Sequence, residues 1–150
     1  MATSTFAIDV KRFGAKTAQQ MSLAHRKVAL DLFTRVIMRS PVDTGRFRAN
    51  WQTTVGERAA GTREAFDKGP VQASGMNAAI SSTAAAEAVQ VVSRAPLGPD
   101  LWLANNLPYA VPLENGHSPQ APGGMVKLSM LEVPGIVQQA VDESAKEARS

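Results

Sequence analysis

The 150-residue sequence predicts an α+β fold, and three features carry that prediction. A long helical pattern opens the chain, short apolar runs bounded by turn residues read as strands, and two later stretches have the spacing of helices. The expected architecture is a long N-terminal helix, a second helix and a C-terminal helix, packed on a small sheet of about three strands. One domain over residues 1–150 suits the length.

Residues 9–39 read as the first helix, capped by Asp9 and stopped by Ser40-Pro41, because a residue before proline avoids the helical region. Gly14 softens its first turns. Met21, Ala24, Val28, Leu32 and Val36 form one stripe, and Leu23, Leu30, Phe33 and Ile37 widen it beyond the arc of an ordinary surface helix. That width predicts contact with the helix's own core and with something else. Lys16, Gln20, Lys27, Asp31 and Arg35 share the polar strip.

Pro41 and Gly45 fix a corner, and Asp43 or Thr44 is placed to cap a short turn through Arg46-Phe47-Arg48. Trp51, Thr53 and Val55 alternate as in a strand closed by Gly56. Residues 57–75 show no period and read as a long variable loop. An Ala-rich second helix is expected over 76–94, with Ile80, Ala84, Ala88 and Val91 on one side. Leu101–Ala104 reads as a buried strand, and residues 108–114 as a helical turn ended by Asn115-Gly116. Val126, Leu128 and Met130 alternate and predict a third strand. Pro134 then suits the first position of a final helix striped by Ile136, Val137, Ala140 and Val141.

Composition limits the chemistry. The chain has no cysteine, so disulfides and thiolate metal sites are excluded. Neither a signal peptide nor a membrane-spanning run is recognisable, and a soluble product used inside a cell is expected. No spaced histidine pair, serine nucleophile elbow or phosphate loop occurs, so the expectation is a non-enzyme without metal or cofactor. Residues 1–60 hold ten Lys or Arg against four acids, and residues 61–150 hold six against nine. Such asymmetry suits head-to-tail contact between copies, or merely a solvated face. The basic N-terminal region (Lys11, Arg12, Lys16, Arg26, Lys27, Arg35, Arg39, Arg46, Arg48) raises an alternative, a basic nucleic-acid-binding module, although no aromatic interleaving accompanies it. A small hydrolase is a distant third reading.

Two stretches go beyond generic patterns. Ser40-Pro41-Val42-Asp43-Thr44-Gly45-Arg46-Phe47-Arg48-Ala49-Asn50-Trp51 resembles a P-V-D-T-G-x-[LF]-R-x-S/N-[WI] segment. Asn105-Asn106-Leu107-Pro108-Tyr109-Ala110, followed by Leu113-Glu114-Asn115-Gly116-His117-Ser118, resembles N-x-x-P-Y-A…[LV]-E-x-G. Both segments belong to the phage minor tail component family, also described as tail-completion or neck proteins. Gln120-Ala121-Pro122-Gly123-Gly124-Met125-Val126 is similar to the A-P-x-G-M-V turn of one subgroup. The resemblance covers about residues 9–142 and fails over 57–99.

It implies a virion structural protein of a long-tailed bacteriophage, assembled in the host cytoplasm. Its place would be a ring at the head–tail junction or tail top, six-fold by family analogy, touching neighbouring neck and tail proteins and passing DNA. Pro41, Asp43, Thr44, Gly45, Trp51 and Gly116 are then expected to hold the subunit's fold. Arg46, Arg48, Tyr109 and Glu114 stand equally as fold-holding residues or as contacts between subunits.

Overall fold

The structure, a computed structural model, describes residues 2–67 and 82–150, with side chains from residue 10 onward. Its elements are α1 (Ala2–Met38), α2 (Arg46–Ala49), β1 (Gln52–Val55), α3 (Thr83–Arg94), β2 (Leu101–Ala104), α4 (Ala110–Glu114), α5 (Val126–Leu131) and α6 (Val133–Arg149). The fold is α+β, as expected, with two antiparallel strands among the described residues instead of three. Gln52, Thr53, Thr54 and Val55 stand opposite Ala104, Leu103, Trp102 and Leu101.

Helix α1 already runs from Ala2, so Asp9 lies inside it and is not its cap. Ser40-Pro41 does end it. The second half of α1 lies between two partners, α3 on one side and α6 on the other. Ala29, Phe33, Val36 and Ile37 enter the core beside Ala84, Ala85, Ala88 and Val92 of α3, and Phe47, Trp51, Leu107, Ala121 and Met125 close it. The small side chains of α3 let the two helices approach closely. The wide apolar arc of α1 is therefore largely used within the subunit. Met21, expected on the core stripe, is instead exposed, and residues 10–19 are exposed all round.

The polar strip of α1 also finds its partners inside the subunit. Lys27 Nζ lies 2.8 Å from Glu147 and 3.3 Å from Glu143 of α6. Arg35 pairs with Asp31 and Glu132 at 2.5 Å, and Arg39 also reaches Glu132. Residue numbers rise along α1 as they fall along α6, so the helices run antiparallel. These groups are partly exposed, so solvent screens each pair strongly. They fix register more than they stabilise.

Helix α3 starts at Thr83, later than expected. Ser82 is extended and caps it, its Oγ accepting from Ala85 N at 3.2 Å. The earlier part of the expected helix, Ile80 included, lies outside the described residues, as does the 68–75 part of the expected loop. Residues 57–67 have no regular structure, as the sequence suggested.

The largest departure is α5, where a third strand was expected. Val126, Leu128 and Met130 are the exposed side chains, whereas Met125 and Ser129, one helical turn apart, are buried. Strand β2 forms where expected, but it is not buried throughout: Trp102 is 38% exposed. In α6, Pro134 sits in the first turn. The buried stripe is Ile136, Ala140 and Ser144, while Val137 and Val141 face outward.

Candidate functional site

The three motif stretches close on one another. Asn105 Nδ2 donates to the carbonyl of Phe47 at 2.8 Å, and the Phe47 ring lies 6.0 Å from Tyr109 and 5.9 Å from Trp51. Gln120 grips both backbone groups of Val42: its Oε1 accepts from Val42 N at 2.9 Å and its Nε2 donates to Val42 O at 3.0 Å. Trp51 Nε1 donates to Ser40 Oγ at 2.6 Å, and that hydroxyl donates to Val36 O at 3.1 Å. The end of α1, the corner and the start of β1 are thereby joined. A buried indole N–H needs such a partner. Asn50, within the first motif, clamps the 57–67 segment through Arg63 N at 2.7 Å and Arg63 O at 3.0 Å. Asn106 holds the carbonyls of Ala59 and Gly61.

Glu114 joins the second motif to the third. Its carboxylate accepts three backbone N–H groups, from Met125 at 2.9 Å, Val126 at 3.0 Å and Lys127 at 2.8 Å. These are the unpaired donors of the first turn of α5. A cap supplied from twelve residues upstream thus makes a helix of a segment whose pattern reads as a strand. Burial raises the Glu114 pKa. The N–H donors of Lys127, Val126 and Met125, with the Lys127 charge, outweigh it and leave the carboxyl below its ordinary value of 4.5.

Glu114→Ala should therefore lose about 0.5–2 kcal/mol, the range of a lost cap. Because the folded pKa lies below the unfolded one, the charge-dependent part is present above the unfolded value and disappears as pH falls through the folded value. Denaturation curves of wild type and Glu114→Gln should differ at neutral pH and converge well below pH 4.5. A constant gap would remove the carboxylate from this role.

Of the other expected contact residues, Arg48 is not at the surface. It is fully buried, with Nη2 3.4 Å from both the carboxylate and the carbonyl of Asp67. Asp67 Oδ2 in turn accepts from Ser82 Oγ at 2.5 Å. A buried guanidinium, a buried carboxylate and the cap of α3 form one unit. Arg48 is therefore a fold-holding residue, because desolvating a cation requires a partner that an exposed contact would not supply. Arg46 is different: its side chain is 36% exposed and meets Glu64 at 3.0 Å on the surface. Tyr109 is exposed, and its ring rests against that of Phe47.

The corner is built without a side-chain cap on α2. Thr44 Oγ1 accepts from Arg46 N at 3.3 Å, in a turn; Asp43 is exposed and caps nothing. Pro41 and Gly45 are buried. Gly116 has φ +88°, and a Cβ there would fall 2.6 Å from the carbonyl oxygen of Pro122. Asp67, Ser82 and Glu87 were not anticipated. Only Ser82 had a signal, as a serine ahead of an alanine run.

The charge asymmetry is largely satisfied within the subunit. Lys27, Arg35, Arg39, Arg46 and Arg48 pair with acids, and Arg26 donates to Ala95 O at 2.7 and 3.0 Å. Lys11, Arg12 and Lys16 remain on the exposed part of α1. Exposed apolar side chains lie both there, as Val10, Phe13 and Met21, and on the later helices: Leu128, Met130 and Leu131 on α5, Val137 and Val141 on α6, and Val111 on α4. Among the described residues, no group of three His, Asp or Glu is arranged to hold a metal, and no helix is long and apolar enough to cross a membrane. No family model, curated protein or solved structure matches the chain.

Proposed function

We propose that the chain is a virion structural subunit of a long-tailed bacteriophage, one that forms a ring at the head–tail junction or tail top and completes the tail for joining. One observation carries the reading. The first motif stretch, separated by more than fifty residues from the other two, meets both of them in one hydrogen-bonded and aromatic knot. Residues that define a family by fold and not by chemistry are expected to lock together in this way. The exposed apolar side chains on α4, α5 and α6 supply surface for neighbours, since the buried core of an interface between copies is richer in apolar groups than ordinary surface is. Its partners would be further copies in the ring and adjacent neck and tail proteins, with DNA passing through the channel.

The nucleic-acid alternative loses most of its footprint, since the cations it relied on are largely engaged within the subunit. Immunogold labelling of particles is expected to mark the junction of head and tail. Particles carrying Arg46→Glu with Tyr109→Ala should show fewer joined heads and tails, while circular dichroism of the purified variant stays native. Label confined to the capsid shell, or absent from the particle, would reject the reading. Normal joining by the variant would reject these two residues as contacts and leave the location standing.

A further inference from the structure

Helix α6 stands outside the core. The core cluster draws on α1, α2 and α3, with Leu107, Ala121 and Met125, and among the described residues it takes none from α6. The contacts of α6 fall mainly on α1. Ile136, Ala140 and Ser144 are the side chains it buries there. The Ser144 hydroxyl is used within the helix, donating to Ala140 O at 2.7 Å. Towards the end of α6 a cleft of about 310 Å³ opens the seam, lined by Lys16, Gln19, Gln20, Leu23, Glu147 and Ala148. So small a seam supplies little apolar burial. Ionic ties close it at both ends. At the start of α6, Glu132 meets Arg35 and Arg39; further along, Glu143 and Glu147 meet Lys27. Every carboxylate in these ties comes from the α6 side, and every cation from α1.

We infer that α6 is a latch, which detaches from α1 as a unit when its carboxylates lose their charge, while the packing of α1 on α3 persists. The one-way polarity of the ties drives the release. With the acids neutral, α6 keeps Lys146 and Arg149 while α1 keeps Lys16, Lys27, Arg35 and Arg39, so attraction gives way to repulsion. The charged groups facing the carboxylates are those four α1 cations, Asp31, which shares Arg35, and Lys146; α5 adds the Ser129 hydroxyl, which accepts from Arg39. Arg39 above all holds Glu132 below the ordinary 4.5, and Gln139 followed by Lys27 does the same for Glu143. Their stabilisation is present above the unfolded value and is lost as pH falls through the folded ones, so the window lies below pH 4.5. The seam between α1 and α3 is apolar instead. Local opening is expected where apolar burial is small and exposed polar bonds are many. Helical spacing sets Ala24 and Val28 on the side of Lys27, Asp31 and Arg35, so release bares that part of the apolar arc of α1. The latch is a property of the single subunit and does not rest on the assembly reading above.

Amide hydrogen exchange on the full chain tests this residue by residue, with protection corrected for the intrinsic effect of pH. From neutral pH to about pH 3.5, protection of Gln139, Ala140 and Val141 in α6 should fall about tenfold or more, while that of Ala88 and Val92 in α3 holds. At neutral pH, the triple variant Glu132→Gln, Glu143→Gln, Glu147→Gln should lower α6 protection in the same way, remove its pH dependence and leave α3 unchanged. Asp142→Asn is the control. Its carboxylate is exposed and accepts from Gln138 within α6, so protection should stay at the wild-type level. Wild-type protection of α6 in the triple variant would overturn the proposal. Equal losses in α6 and α3 would also overturn it, because the two would then open as one unit. So would an effect of Asp142→Asn as large as that of the triple variant, since net charge and not the ties would be at work.

Discussion

Arg48→Glu is expected to yield a chain that does not hold its fold at room temperature. The native guanidinium is fully buried against Asp67, and removing one partner of such a pair costs about 3–5 kcal/mol. Reversal goes further, because it sets a second buried carboxylate beside the first. A domain of ordinary stability has only about 5–15 kcal/mol in total. The damage should also spread to α3, since Asp67 holds Ser82, the residue that caps that helix. Arg46→Glu is the control two residues away. Its partner Glu64 is largely exposed, so the change should stay within about 1 kcal/mol. Urea denaturation of both variants decides the matter: equal midpoints would mean that Arg48 is not the buried cation described. Surface contacts should therefore be probed through Arg46 and not through the buried Arg48.

Gly45→Ala should produce the second large loss. Gly45 has φ +87°, and a Cβ there would fall 2.3 Å from the carbonyl oxygen of Asp67. The obstacle is backbone, which cannot swing aside as a side-chain tip can. Left-handed geometry alone costs a non-glycine residue about 1–3 kcal/mol. The overlap adds to this by displacing the hydrogen bond from Asp67 N to Gly45 O, 2.9 Å long. Because Gly45 and Arg48 both act on Asp67, Gly45→Ala and Arg48→Met should be less than additive in a double-mutant cycle. Asp43→Ala, at an exposed position with no capping bond, should leave the midpoint nearly unchanged. Full additivity would separate the glycine from the buried pair.

These residues show what can be read from the chain and what cannot. Local signals gave the end of α1 at Ser40-Pro41, the corner, both strands, the α4 turn and the proline start of α6, because each is written within a few residues. The strand expected at Val126–Met130 failed because the deciding group, the Glu114 carboxylate, comes from another element. Two-residue alternation then described which side chains face solvent on a short helix. Arg48 failed for a related reason. Nothing near it distinguishes it from Arg46, and its partner Asp67 lies in a segment without pattern. The motif residues were visible as a set, yet their mutual bonds, such as Gln120 with Val42, are contacts at a distance that no window of sequence contains.

Helix α1 has a practical consequence for any measurement of size. Its 37 residues span about 55 Å at 1.5 Å per residue, and the bare stretch 10–19 accounts for about 15 Å of that length. A subunit with such a spar experiences more drag than a sphere of the same mass. It should leave a gel-filtration column early, at the volume of a heavier globular standard, even as a single chain. Elution volume alone would then overstate the mass, and removing the first nineteen residues would lower the apparent mass by more than those residues weigh.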